Sequence, residues 1–170
     1  KGDITHRDYK GYGGNHYINN SGRNDIVLSK VAVDKENVYF YVQTANPITS
    51  STDPNWMLLL IDADNNYSTG WYGYDYLINQ SVVDNTSTQI KWYDNTKNEW
   101  VKKNVLAYKA KGNCLELAVS RKDLGLLEDA FVFDFKWADN PKELKDPISL
   151  CTDGDTAPNR RFNYRCIWKK

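Results

Sequence analysis

The chain has 170 residues, enough for one ordinary domain, and its 22 basic and 22 acidic side chains cancel. That balance argues against a basic nucleic-acid stripe or a polyacidic arm, and no apolar run reaches membrane-spanning length. Aromatic residues make up 14%, led by 12 Tyr and 6 Trp, a composition found both in β cores and on binding surfaces.

Residues 1–24, rich in Gly, Asn and Tyr, read as an irregular segment packing on the edge of the domain. Within and beside it, His6-Arg7-Asp8 and Gly22-Arg23-Asn24-Asp25 are compact polar groups. Asn24 and Asp25 suit a turn cap or, alternatively, metal ligation. From there the pattern has period two. In residues 38–44 (VYFYVQT), Val38, Phe40 and Val42 share one face and Tyr39, Tyr41 and Gln43 the other. Residues 55–62 (NWMLLLID) are apolar on both faces, which predicts a central strand with Trp56 in the core.

Strand patterns continue at residues 74–80, 88–94, 99–103, 106–112 and 114–120, with a hairpin tip at residues 94–98. Ser120 followed by Asp123 has the form of a helix cap and predicts one or two helical turns before Leu126. A second short turn is expected at residues 141–144. In residues 131–137 (FVFDFKW), Phe131, Phe133, Phe135 and Trp137 point to the core, while Val132, Asp134 and Lys136 form a polar outer face. Residues 161–168 (RFNYRCIW) close the series. The whole predicts one all-β domain over residues 1–170, an antiparallel, jelly-roll-like sandwich of about nine to eleven strands. Cys151 and Cys166 flank a polar loop and suit either a disulfide worth roughly 3 kcal/mol or two buried free thiols.

The sharpest local motif is residues 62–71 (DADNNYSTGW). Asp62, Asp64 and Asn66 alternate in a tight loop. A carbonyl near Ser68 and the carboxylate of Asp75 extend an oxygen-rich shell suited to calcium. The match to a helix-flanked calcium loop is partial: the glycine falls at Gly70 rather than at the sixth position, the twelfth position is Gly73 rather than Glu, and the flanks read as strands. An ion-free Asx-rich hairpin explains the same residues.

Sugars offer apolar C–H faces and hydroxyl rims, which flat rings and polar side chains recognise. Trp71 and Tyr72 follow the acidic loop on an edge where a ring is hard to bury, and Trp92 and Trp100 flank the hairpin tip. Arg161, Asn163 and Arg165 alternate with Phe162 and Tyr164. If those rings face the core, the polar trio faces a glycan; alternatively, an arginine pairs with Asp134 or Asp139. The case for catalysis is thin. The two histidines, His6 and His16, lie in the irregular start, and Glu36, Glu99, Glu128 and Glu143 read as surface residues.

Residues 28–44 (LSKVAVDKENVYFYVQT), 57–71 (MLLLIDADNNYSTGW) and 117–126 (LAVSRKDLGL) resemble, in that order, segments of family 9 carbohydrate-binding modules and the related DOMON-like sandwiches. Residues 133–141 and 154–165 resemble closing segments of accessory domains on secreted bacterial glycan-degrading enzymes. The resemblance implies a β-sandwich, structural calcium held by Asp62, Asp64 and Asn66, and sugar binding through tryptophans, with Trp71 matching the position after the loop. It also implies a secreted or cell-surface setting, a catalytic domain in the same polypeptide, and a polysaccharide or oligosaccharide ligand. The paired tryptophans that clamp sugar in family 9 have no definite match here. The start at Lys1, with Met57 as the one methionine, is read as a piece excised from a larger exported protein. The expected function is a non-catalytic carbohydrate-binding module. The alternatives are a structural spacer of the same fold and a small polysaccharide-active enzyme.

Overall fold

The computed structural model describes residues 7–169. His6 lies outside them. Twelve strands are formed among the described residues, and all their pairings are antiparallel. β1 (Arg7–Lys10) and β2 (His16–Asn19) make a separate hairpin. The other ten run β11-β10-β5-β6-β7-β8-β9-β4-β3 in space, with β12 also paired to β10. They are β3 (Ile26–Val33), β4 (Asn37–Thr44), β5 (Leu58–Asp62), β6 (Tyr76–Val82), β7 (Ser87–Asp94) and β8 (Glu99–Lys111). They continue with β9 (Cys114–Ser120), β10 (Ala130–Asp139), β11 (Asp155–Ala157) and β12 (Tyr164–Lys169).

One long strand turns the sheet into two layers. The first part of β8 pairs with β7 and its last four residues, Tyr108 to Lys111, pair with β9. The ends of the sheet then approach each other. The Ile26 N–H donates to Asp155 Oδ2 at 2.8 Å, and Trp137 Nε1 donates to Ser29 Oγ at 3.2 Å. The result is a nearly closed, sandwich-like barrel.

The period-two reading fixes the core. Val38, Phe40 and Val42 from β4 meet Phe133, Phe135 and Trp137 from β10, together with Leu59, Ile61, Ile78 and Ile90. Phe40 stands edge-on to Phe133 and Phe135, with ring centroids at 6.0 and 5.2 Å. Trp56 is buried, as its neighbours predict, and donates to the Thr49 carbonyl at 3.0 Å. The double-sided apolar character of β5 has an equally direct cause. Its outer face, Leu58 and Leu60, joins Leu77 and Ala138 beneath Trp71, Tyr74, Leu150 and Cys151.

Several expectations are corrected. The start is not irregular throughout, because it contains the β1–β2 hairpin. The turn that follows is locked by Arg23 and Asn24, which both bond the buried carboxylate of Asp139. Asn24 also exchanges bonds with Thr49, which leaves it a structural partner rather than a ligand. Residues 121–125 form turns, not helix: Gly125 sits at φ +72°, and the Leu126 N–H returns to the Arg121 carbonyl. The short α-helix lies later, at Ser149–Thr152 (α1), not at residues 141–144. All three cysteines are free; the Cys151 thiol donates to the Arg160 carbonyl at 2.8 Å. Lys136 is not on a polar outer face but 1% exposed, covered by the segment before β12.

Candidate functional site

The acidic loop connects β5 to β6. Asp62 ends β5, and Asp75 precedes β6, where its N–H closes the hairpin on the Ile61 carbonyl. Two glycines make the wrap possible. Gly70 at φ +65° lies against the Tyr74 carbonyl, where a Cβ would clash, and Gly73 at φ +97° passes beside Tyr67 and the Asp62 carboxylate. The loop then satisfies itself with Asx bonds. Asp62 Oδ1 accepts from the Asn65 N–H at 2.7 Å, Asp64 Oδ1 from the Asn66 N–H at 2.8 Å, and Asp75 Oδ2 from the Ala63 N–H at 2.8 Å.

Three of the five expected metal ligands converge. Carboxylate oxygens of Asp62, Asp64 and Asp75 all lie within 4.8 Å of one another. Calcium bonds oxygen at about 2.3–2.6 Å, so ligands on opposite sides of one ion stand about 5 Å apart, and the triad fits that span. Asn66 and Ser68 belong to the same loop. Asn66 Oδ1 accepts the Ser68 N–H at 3.1 Å, which makes it a turn-forming group. The triad is electrostatically unsettled. Burial pushes the Asp75 carboxyl up to about 6, with the charges of Asp64 and Asp62 adding to it. Burial likewise raises Asp62, aided by Asp64 and Asp134. Asp134 was not expected here: β10 pairs it directly with Asp62. The alternation of residues 131–137 signalled its outward direction but not its partner.

The expected sugar-binding residues divide. Trp71 is 7% exposed, packed on Leu58, Leu60 and Leu77, so its ring is part of a second core and not a free edge. The turn bonds between Trp71 and Tyr74 fold that ring inward. Tyr72, 59% exposed, stands edge-on to it at 5.5 Å. Trp100 is half-buried against Tyr93, with centroids 5.1 Å apart. Trp92 and Trp100 do not act together. Trp92 pairs with Val101 while Tyr93 pairs with Trp100, which puts the two indoles on opposite faces of the hairpin. Arg165 makes the expected structural pair, with two 2.8 Å bonds to Asp134. Asn163 Oδ1 accepts from the Tyr74 hydroxyl at 2.7 Å. Arg161 is exposed, and Phe162 does not face the core but is 69% exposed.

Trp92 opens onto a cleft. Its ring, 40% exposed, shares a cavity of about 360 Å³ with Asp64, Asp75, Tyr76, Asn95 and Lys103. The Lys103 ammonium lies 5.2 Å from the Tyr76 ring centre. The cleft therefore joins a flat indole, two carboxylates of the triad, an amide and an ammonium. A larger, shallow concavity of about 740 Å³ lies on the outer face of β3, β4, β9 and β8, floored by Ala32, Ala107 and Ala118 between Tyr39 and Tyr41. Among the described residues, no helix is long and apolar enough to cross a membrane. Comparison with protein-family models, curated protein sequences and solved structures returned no match.

Proposed function

We propose that this domain is a non-catalytic, calcium-stabilised carbohydrate-binding module, working outside the cell as an accessory to a glycan-degrading catalytic domain. The observation that carries the reading is the cleft that joins the exposed Trp92 ring to Asp64 and Asp75. An indole offers an apolar face to the C–H side of a pyranose, while carboxylate and amide oxygens accept hydroxyl hydrogens. Calcium held by Asp62, Asp64 and Asp75 offsets two of the triad's three negative charges and fixes the wall of the cleft. The ion has a structural role, and the glycan is neutral, because three carboxylates around one divalent ion leave a net negative charge beside its site.

The test is affinity electrophoresis over a panel of neutral polysaccharides, with calcium and with chelator. Retardation by at least one glycan, lost in Trp92→Ala and weakened by chelator, is the expected result. No retardation on any neutral glycan, or sugar release by the isolated domain, overturns the reading.

The shallow groove between Tyr39 and Tyr41 favours a second reading, a spacer that docks on a neighbouring domain. That spacer binds no sugar, and the same gels separate the two readings.

A further inference from the structure

On the outer side of the β10–β5 layer, a cavity of about 480 Å³ opens between the β1–β2 hairpin and the segment before β12. Tyr9 and Tyr17 form one wall as a stacked pair, centroids 5.3 Å apart and planes within 12°. Arg160, Arg161 and Phe162 form the other. An adjoining recess shares Tyr9, Tyr17 and Arg160 and adds Arg7. The described residues lining the two carry three guanidiniums and no carboxylate.

The arginine-bearing segment is held from beneath. The buried Lys136 ammonium donates to the carbonyls of Pro158, Arg160 and Phe162 at 2.6, 2.7 and 3.0 Å. The Cys151 thiol donates to the same Arg160 carbonyl. With its carbonyls drawn inward, the segment leaves the Arg160, Arg161 and Phe162 side chains in solvent. Arg160 adopts φ +64°, a left-handed conformation that a long side chain rarely takes and that these bonds enforce. Core packing does not explain the solvent-facing Phe162 ring. A loop already ordered this way binds without a further ordering cost.

Guanidiniums select carboxylate-type anions, and flat rings select the apolar face of a cyclic ligand. The cavity volume suits a ligand of one or a few rings. We propose that this cavity is a second glycan site, specific for an acidic sugar, a hexuronate whose carboxylate meets Arg160 and Arg161 and whose ring lies against Phe162 or Tyr9. It has the opposite charge preference to the Trp92 cleft, and it stands or falls independently of that cleft.

The experiment is calorimetric titration of the domain with oligomers of galacturonate and glucuronate, and with their methyl esters as neutral counterparts. The expected result is binding of an acid form at least tenfold tighter than its ester, weakened as salt rises. Arg161→Gln and Phe162→Ala each reduce it at least tenfold, with melting temperatures like the parent's, while Trp92→Ala leaves it unchanged. The proposal is overturned if neither acid binds, if an ester binds equally well, or if the Arg161 and Phe162 variants bind as the parent does. Displacement of the acid by inorganic sulfate at equal concentration also overturns it, by reducing the site to a generic anion site.

Discussion

Asp75→Asn separates the electrostatics of the acidic loop from its backbone role. An asparagine keeps the oxygen that accepts the Ala63 N–H, and it removes one charge from the triad. Asp75 ionises near 6 in the fold, against 3.8 ordinarily. Between about pH 4 and 6 the folded metal-free protein therefore holds a proton that the unfolded chain has released. Its stability falls as pH rises through that window and stays lower above it. A shift of about two units is worth roughly 3 kcal/mol, which solvent screening at this half-buried site reduces to about 1 kcal/mol. For a chain of this size that is about 2–4 °C of melting temperature. In chelator at pH 7.5, Asp75→Asn thus melts a few degrees above the parent and loses Asp75's share of the slope between pH 4 and 6.

Calcium reverses the order. At a hundredfold excess over its dissociation constant, an ion bound by the folded state stabilises the parent by about 2.7 kcal/mol. The variant, short of one of three carboxylates, loses most of that gain. Thermal melts of both proteins at pH 4–8, with calcium and with chelator, check the two signs together. A variant that keeps the parent's calcium shift, or that melts lower in chelator at pH 7.5, refutes the reasoning.

Trp71→Ala removes a ring from the second core and costs about 3–5 kcal/mol in denaturant melts, whereas Trp92→Ala leaves stability near the parent's. Equal stability losses in the two variants contradict this division. Lys136→Met removes the ammonium from three loop carbonyls, leaving the Arg160 carbonyl with the Cys151 thiol alone, and costs about 1–3 kcal/mol, with faster proteolysis at residues 158–162 as the local readout. Unchanged protection of that loop contradicts the pinning role. Since the three cysteines are free, reducing agent leaves the melting temperature unchanged; a drop indicates a disulfide.

The strand pattern was legible because β pairing exposes alternate residues to one core, and Val38, Phe40, Val42, Phe133, Phe135 and Trp137 obey that rule. What the pattern hides is a second layer on the outer face. Trp71 and Lys136 both read as outward-facing, and both are covered by segments far away or irregular in sequence. For Trp71 the cause is the turn closed by Gly70 and Gly73, which reverses the chain onto β5 and β6. The acidic triad was readable as spacing, since Asp62 and Asp64 are alternate in the loop and Asp75 stands just before the next strand. Its fourth neighbour, Asp134, depends on strand order, which period two does not encode. Nor does it show that Trp92 and Trp100 part company, because that follows from the register across the β7–β8 hairpin.

The most direct measurement is a crystal structure grown in calcium and soaked with an oligosaccharide of a neutral glycan that retards the domain. The account predicts one cation bonded by Asp62, Asp64 and Asp75 and a sugar ring lying on the Trp92 indole. A cation-free loop with the sugar seated elsewhere contradicts it.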